Sequence, residues 1–164
     1  METTVFKGAI FTVTLERINS QLEYERVYQR SGVTVFPVIN GCIRLIKKTT
    51  TDNPLPRIRP VSGYIDDGET PLECAQKELA EELGLSAQEW ELFTTTDGEG
   101  GLRKTQHFFV ARTLVPIERS VYQDPNENIF GYVDLGFDDV KEQTLAGNFG
   151  TGSNAFALLK FVMA

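Results

Sequence analysis

The sequence has few of the residues on which several protein classes depend. Its 164 residues include 2 cysteines and 1 histidine, which gives neither a disulfide framework nor a His–Cys set for zinc. Cys42 and Cys74 lie far apart without a CxxC pattern, so we interpret them as small reduced thiols. His107 is expected to be a strand side chain, and covalent acyl transfer by a serine or cysteine is therefore disfavoured.

Basic residues and long apolar runs are also scarce. The chain has 16 Lys and Arg against 23 Asp and Glu, a net charge of −7, whereas nucleic-acid phosphates are bound by clustered Lys and Arg. The longest uncharged apolar runs are far shorter than the roughly 18 residues that cross a bilayer. No secretory pattern opens the sequence. We therefore expect no nucleic-acid partner, no membrane partner and a cytoplasmic location.

The negative charge also constrains any small-molecule ligand. A site for a phosphorylated molecule on such a protein needs a bound cation to reverse the local field. The acidic residues are concentrated between Asp66 and Glu91, and this is where such a cation is expected.

The length predicts one domain with a small appendage, at about 150 residues per domain. Residues 5–15 and 23–29 are rich in β-branched and aromatic side chains, which predicts an N-terminal hairpin. Because a two-stranded ribbon is marginal alone, it must pack on the main domain or on another subunit. We expect a ribbon at residues 1–31 and the main domain at residues 32–164.

The remaining pattern predicts an α+β fold with a mixed sheet between helices. Asn40-Gly41 is a strong hairpin signal, and the polar, Pro-rich residues 47–60 predict an exposed loop. Asp138 or Asp139 is expected to cap a short helix that ends at Ala146. The other predicted elements are strands at 33–39, 42–46, 90–96, 104–113 and 129–135 and a closing helix at 153–163.

The clearest helix signal begins at Thr70. Thr70, Pro71 and Glu73 supply an N-cap, a proline at the first helical position and a capping-box glutamate. Gly84 is placed to end the helix in a left-handed conformation after about 14 residues. The expected buried stripe consists of Leu72, Ala75, Leu79 and Leu83.

Three glutamates lie on another side of this helix. Glu78, Glu81 and Glu82 have i, i+3 and i+4 spacing, which brings their carboxylates together. Such glutamates repel one another and raise one another's pKa unless a positive charge lies among them. A solvated acidic face is the alternative, but few basic residues are near. Oxygen ligands suit Mg²⁺, Mn²⁺ or Ca²⁺ and, through Mg²⁺, phosphoryl chemistry.

The segment GYIDDGETPLECAQKELAEELGL resembles the Nudix box. One position departs from the family pattern, because Lys77 stands where the family has arginine, whose guanidinium can bind carboxylates through two parallel hydrogen bonds. The positions that match the box are Gly63, Glu69, Glu78, Leu79, Glu81, Glu82, Gly84 and Leu85.

Beyond the box, the order of motifs is similar to that of ADP-ribose and nucleotide-sugar pyrophosphatases. The similar parts are the N-terminal ribbon, GVTVFPVI, DGEGGLRKTQHFFVA and GNFGTGSNAFALLKF. This resemblance implies a Nudix fold and a homodimer formed through the ribbon. It implies Mg²⁺- or Mn²⁺-dependent cleavage of a nucleoside diphosphate linked to a second group X, with ADP-ribose or a nucleotide sugar as the best guess.

The resemblance also assigns residues. The implied metal ligands are the carboxylates of Glu78, Glu81, Glu82 and Glu127 and the backbone carbonyl of Ser62. Glu69 is the expected structural partner of Lys77.

Other roles follow less directly from the family pattern. Pro125 occupies the position where these enzymes often have a glutamate base, so Asp124 is the neighbouring substitute and joins the four glutamates as a catalytic candidate. Arg57 and Arg59, with Gly63 and Lys77, are the substrate-binding candidates.

Two alternatives stay open. One is a Nudix-fold nucleotide-binding module with weakened catalysis, suggested by Lys77 and Pro125. The other is a Nudix enzyme for nucleoside triphosphates. A purely structural scaffold is the least favoured interpretation.

Overall fold

A computed structural model describes residues 2–51, 53–117, 127–149 and 152–164. The helices are α1 (Pro71–Leu83), α2 (Phe137–Leu145) and α3 (Ser153–Val162). The strands are β1 (Glu2–Lys7), β2 (Phe11–Arg17), β3 (Glu23–Gln29), β4 (Gly32–Ile39), β5 (Cys42–Thr50), β6 (Asn53–Arg59), β7 (Val61–Tyr64), β8 (Leu85–Asp97), β9 (Leu102–Arg103), β10 (Thr105–Pro116) and β11 (Glu127–Gly136).

The central sheet has the order β11-β5-β4-β10-β8, with β6 paired to β5 and β7 paired to β4. Strand β10 runs parallel to β4, while the other pairs are antiparallel, so the sheet is mixed. The predicted hairpin joins β4 to β5, and Asn40 and Gly41 both have positive φ, as a primed hairpin turn requires.

Two apolar clusters lie on opposite faces of this sheet. Helix α1 packs on one face through Cys74, Ala75 and Leu79. Helices α2 and α3 cover the other face through Val140, Ala157 and Leu158. This arrangement confirms the predicted α+β fold with a mixed sheet between helices.

Helix α1 follows the prediction closely. Thr70 accepts a hydrogen bond from the Glu73 backbone, the Glu73 side chain accepts one from the Thr70 backbone, and Gly84 ends the helix with φ 64°. One member of the expected stripe is wrong, since Leu72 is exposed. It lies in the first turn of α1, at the margin of the contact between the helix and the sheet.

The N-terminal prediction is wrong in one respect. Residues 5–15 form two strands, β1 and β2, and the Gly8 N–H donates to the Phe11 carbonyl in the turn between them. Together with β3 and β9 they form a four-stranded sheet. The period-2 pattern does not register the turn, because its residues are also small or apolar. The boundary between residues 1–31 and 32–164 stays a prediction.

The expected loop at residues 47–60 is also wrong. Strand β5 continues to Thr50 and pairs with β6, whose Pro54 and Pro56 are exposed, as suits an outer strand. Helix α2 begins after Gly136 without a side-chain cap, so Asp138 and Asp139 lie in the first turn rather than at the cap. The closing helix is confirmed as α3.

Among the described residues, no helix has the length and apolar character to cross a membrane.

Candidate active site

A cleft of about 830 Å³ lies where α1, β7 and the start of α3 meet. Ligand sites for small molecules typically have volumes of about 300–1,000 Å³. The predicted residues that line it are Gly63, Lys77, Glu78, Glu81 and Ser62. The structure therefore brings most of the predicted box residues together at one cavity.

The Glu78 side chain lies directly against Gly63. A Cβ atom at residue 63 would collide with the Glu78 carboxylate, so only glycine allows the helix carboxylate to lie against β7. Glu81 lines the same cleft. Burial raises the pKa of Glu81, the positive charge of Lys77 opposes this rise, and the nearby carboxylates add to it.

Glu82 lies deeper, with 6% of its surface exposed. Its carboxylate accepts a hydrogen bond from the Ser62 backbone N–H at 3.1 Å and lies 3.5 Å from the Lys48 ammonium. Within the described residues β7 pairs with β4 alone, so this carboxylate satisfies a backbone donor that has no strand partner. Glu82 thus holds β7 against α1 and places Gly63 beside Glu78.

Lys48 is a site neighbour that the sequence analysis missed. It lies on β5 and is largely buried. The strand sequence gives no clear signal for it, because Arg44 and Lys47 lie on β5 as well; burial beside Glu82 distinguishes Lys48, since a buried ammonium is retained when it is paired with an acid.

Lys77 bridges two carboxylates of the segment before α1. Its ammonium lies 2.9 Å from Asp66 Oδ2 and 2.9 Å from Glu69 Oε1, which agrees with the expected Glu69–Lys77 pair. Asp66, which the sequence analysis did not single out, also accepts from Arg30 at 2.7 Å. Hydrogen bonds from Lys77 and then Arg30 lower the pKa of Asp66.

Glu69 is held by more than Lys77. Its carboxylate accepts from the Asp66 backbone N–H at 2.9 Å. Burial by itself raises the pKa of Glu69, but this hydrogen bond and Lys77 outweigh the burial and lower it. For Lys77, burial lowers the pKa, but the hydrogen bonds to Asp66 and Glu69 outweigh burial and raise it. These groups fix the chain that leads from β7 into α1.

The other side of the cleft carries polar residues that the sequence analysis did not single out. Gln106 Nε2 donates to Thr34 Oγ1 at 3.0 Å, and Thr34 Oγ1 donates to Asn154 Oδ1 at 3.3 Å. Lys104 lies over the Tyr64 ring, 5.8 Å from its centroid. These residues come from separate elements, so only the tertiary structure assembles them.

Arg57 and Arg59 do not line this cleft. They lie on β6 beside a separate cavity of about 810 Å³, and Arg59 donates to the Asn148 carbonyl at 2.7 Å. Burial and the charge of Arg57 lower the pKa of Arg59. Their role in substrate binding stays a prediction.

Two predicted acidic residues, Asp124 and Glu127, lie in or beside the segment 118–126, which is outside the described residues. Asp124 lies outside the described residues. Glu127 is the first residue of β11, where it pairs with Thr50, and its side chain also lies outside the described part of the chain.

The donor chemistry of the cleft fits a hard divalent cation. Glu78, Glu81 and the adjacent backbone of Ser62 and Gly63 offer oxygen atoms alone, which suits Mg²⁺ or Mn²⁺. As arranged in the described part of the chain, no group of three or more His, Cys, Asp or Glu side chains is close enough to hold a metal ion. Glu82, in particular, bonds to protein groups.

Comparison with known proteins agrees with this fold. The chain resembles a crystal structure of an ADP compounds hydrolase with a TM-score of 0.77 and 22% identity, over 99% of this chain and 89% of that one. It also resembles a Nudix hydrolase from Nitrosomonas europaea with a TM-score of 0.64 and 13% identity, over 80% of this chain and 87% of that one. No curated protein matches the chain. The model of the Nudix domain matches residues 28–146, most of the sequence, and the chain therefore belongs to the Nudix family of pyrophosphatase hydrolases.

Proposed function

We propose that this Nudix hydrolase cleaves the diphosphate of a nucleoside diphosphate linked to a sugar, with ADP-ribose or a nucleotide sugar as substrate. The observation that carries the proposal is the cleft in which Glu78 and Glu81 face the Ser62–Gly63 backbone. Carboxylates around a cleft in a protein of net charge −7 suit a metal-bound phosphate rather than a free anion.

The comparisons support this substrate class. One of the similar structures, which covers 99% of this chain, is that of an ADP compounds hydrolase. The order of motifs outside the box is also similar to that of ADP-ribose and nucleotide-sugar pyrophosphatases.

In the proposed reaction a water oxygen bonds to phosphorus and the bridging P–O bond breaks. With ADP-ribose the products are AMP and ribose 5-phosphate. The proton from water passes to a carboxylate, for which Glu127 and Asp124 are candidates beside the helix glutamates.

The proposed ligands of Mg²⁺ or Mn²⁺ are Glu78, Glu81, Glu82, Glu127 and the Ser62 carbonyl. When bound, this metal supplies charge stabilisation for the attacking and leaving oxygens. Glu82 has a second role in this proposal, since it holds β7 and so orients Gly63 toward Glu78.

Substitution of the two cleft glutamates tests the proposal. We expect Glu78→Gln and Glu81→Gln each to lower kcat/KM for ADP-ribose with Mg²⁺ by about 100-fold or more, because each removes an anionic ligand proposed to hold the metal that stabilises charge on the reacting phosphate. Glu142→Gln is the matched control, since Glu142 is an exposed glutamate on α2. Release of AMP and ribose 5-phosphate is measured by chromatography. Unchanged activity in both cleft variants would contradict the proposal.

A substrate panel separates this function from its alternatives. Pyrophosphate release from nucleoside triphosphates at a higher kcat/KM than ADP-ribose cleavage would favour a triphosphate enzyme. Tight binding of ADP-ribose without AMP release over hours would favour a binding module.

We also propose a homodimer that forms through the N-terminal strands. Its support is a set of large apolar side chains that lie exposed on one face of this sheet, namely Phe6, Phe11 and Leu102.

A further inference from the structure

The cleft is not confined to the face of the sheet that carries α1. On β4, Val33 and Val35 pack in the cluster beneath α1, and Phe36 packs in the cluster beneath α2 and α3. Because successive strand residues point to opposite faces, Thr34 points toward α3, in agreement with its hydrogen bond to Asn154. The cleft therefore crosses β7 and continues on the α3 face.

The part of the cleft on the α3 face differs in chemistry from the part beside α1. The acidic residues that line the cleft are Asp66, Glu78 and Glu81, and all three lie on α1 or on the segment that leads into it. The α3 part, which we call the polar wall, consists of Thr34, Lys104, Gln106, Ser153 and Asn154. It offers hydroxyl groups, amides and one ammonium group.

Lys104 is the distinctive member of the polar wall. Of the three cations that line the cleft, Arg30 and Lys77 both pair with Asp66. For Lys104, the described residues provide the Tyr64 ring and no carboxylate within ion-pair distance. Burial lowers the pKa of its ammonium. A half-buried ammonium has lost part of its hydration, and without an acidic partner this loss is not compensated. An anionic ligand would provide the compensation.

The polar wall also suits a sugar better than a nucleobase. Gln106 and Asn154 present amide groups and Ser153 presents a hydroxyl, which match the hydroxyls of a sugar. The Thr34 hydroxyl is buried and bonds to both amides, so its role is to position them. A base would need an open aromatic face for stacking. The Tyr64 ring already has two cations near it, because the Arg30 guanidinium carbon lies 5.6 Å and the Lys104 ammonium lies 5.8 Å from its centroid.

We propose that the polar wall is the subsite for the half of the substrate that leaves as a sugar phosphate. Lys104 binds an oxygen of its phosphate, and the amides of Gln106 and Asn154 bind its hydroxyls. This inference rests on the proposed function and goes further, because it assigns one half of the substrate to a set of residues outside the Nudix box.

Product inhibition tests the subsite. ADP-ribose hydrolysis is measured with ribose 5-phosphate or AMP as inhibitor, in the wild type, Lys104→Gln, Lys104→Arg and the control Lys141→Gln, which alters an exposed lysine on α2. We expect Lys104→Gln to raise KM and the inhibition constant of ribose 5-phosphate about 10- to 100-fold, the loss typical of a charge-assisted hydrogen bond. Inhibition by AMP should not change. Lys104→Arg should retain most of the wild-type affinity for ribose 5-phosphate, because it keeps the positive charge.

Other outcomes would overturn the assignment. Equal inhibition by ribose 5-phosphate in the wild type and Lys104→Gln would remove Lys104 from the subsite. A loss confined to AMP would assign the polar wall to the nucleotide half instead.

If the wild type hydrolyses no diphosphate, the proposed function fails and the subsite is tested by NMR titration with ribose 5-phosphate. Binding that Lys104→Gln weakens and Lys141→Gln does not weaken would support the subsite. Absence of binding to the wild type would overturn it.

Discussion

Gly63 matters at the scale of single residues because of what lies next to it. The box pattern identifies the position from the sequence, but the reason for glycine is the Glu78 carboxylate, which occupies the space of a side chain. Since the Glu78 carboxylate is the end of a flexible side chain, an added methyl group would displace it rather than disrupt the strand.

We therefore expect Gly63→Ala to separate stability from activity. The melting temperature should fall by no more than a few degrees, as for a change of about 1 kcal/mol or less. The kcat/KM for ADP-ribose should fall by about 100-fold, because a displacement of about 1 Å at a reacting group has this effect. Calorimetry and a steady-state assay measure the two quantities.

Gly131→Ala is the matched control. Gly131 also lies in a strand, and a Cβ atom there meets nothing within 4 Å. Activity in Gly63→Ala equal to that of Gly131→Ala would contradict the positioning role.

Lys77 shows how a departure from a family pattern acts in this chain. A guanidinium binds one carboxylate through two parallel hydrogen bonds, whereas the compact Lys77 ammonium contacts Asp66 and Glu69 separately. Lys77 therefore joins both carboxylates of the segment that enters α1.

At the scale of elements, these ion pairs tie the segment 65–70 to α1. The pKa values of Asp66 and Glu69 lie below their ordinary values in the folded protein. An acid with a lowered pKa in the folded state stabilises the protein above its unfolded pKa, near 4 for these groups. That stability is lost as the pH falls through the folded-state pKa.

We expect Lys77→Gln to lower the free energy of unfolding by about 1 kcal/mol at pH 7, a small value because Asp66 is largely exposed. The difference from the wild type should shrink below about pH 4, where protonation removes the same interactions. Urea unfolding at pH 7, 5 and 3 measures it. Lys77→Arg should resemble the wild type, and a difference independent of pH would exclude this explanation.

Local sequence determines part of helix α1, and the tertiary structure determines the rest. Its start, its end and the grouping of its glutamates follow from local capping and from the helical period, which the sequence carries. Local sequence does not show which of these glutamates contacts β7 and which faces the cleft. Glu82 bonds to β7 while Glu78 and Glu81 face the cleft, because β7 approaches the helix from one side.

At the scale of the whole molecule, the N-terminal sheet leaves large apolar side chains exposed, and contiguous exposed apolar side chains commonly mark an interaction surface. Phe6 on β1 is 55% exposed and Phe11 on β2 is 42% exposed, and the pairing of β1 with β2 places both on one face of the sheet. An apolar sheet face of this kind is typical of a surface that a second subunit covers.

We expect the wild type to elute with about twice the 18.4 kDa mass of the chain in light scattering coupled to size exclusion. Phe6→Glu should elute as a monomer at micromolar concentration, since a buried carboxylate without a partner opposes association. Leu145→Glu is the control, because Leu145 is 69% exposed on α2. A wild-type monomer would refute the dimer without affecting the assignment of the cleft.

The errors of sequence-based prediction in this chain share a physical origin. The turn between β1 and β2 and the pairing of β6 with β5 both join strands that are neighbours in the chain. In each case the residue types carry an ambiguous local signal: the turn residues after Lys7 continue the small and apolar pattern of the strands, and the prolines of β6 are typical of a loop but are also tolerated in an outer strand.

The sequence by itself determined the elements that local rules control: the capped helix, the Asn40-Gly41 hairpin, and the family through the spacing of six glycine and glutamate positions in the box. Only the tertiary structure decided that Glu82 holds β7 and that Lys48 is its partner. It also decided that Lys104, Gln106 and Asn154 form one wall of the cleft. The physical reason is distance along the chain, because these groups come from separate strands and helices that meet only when the sheet and its two helical layers pack together.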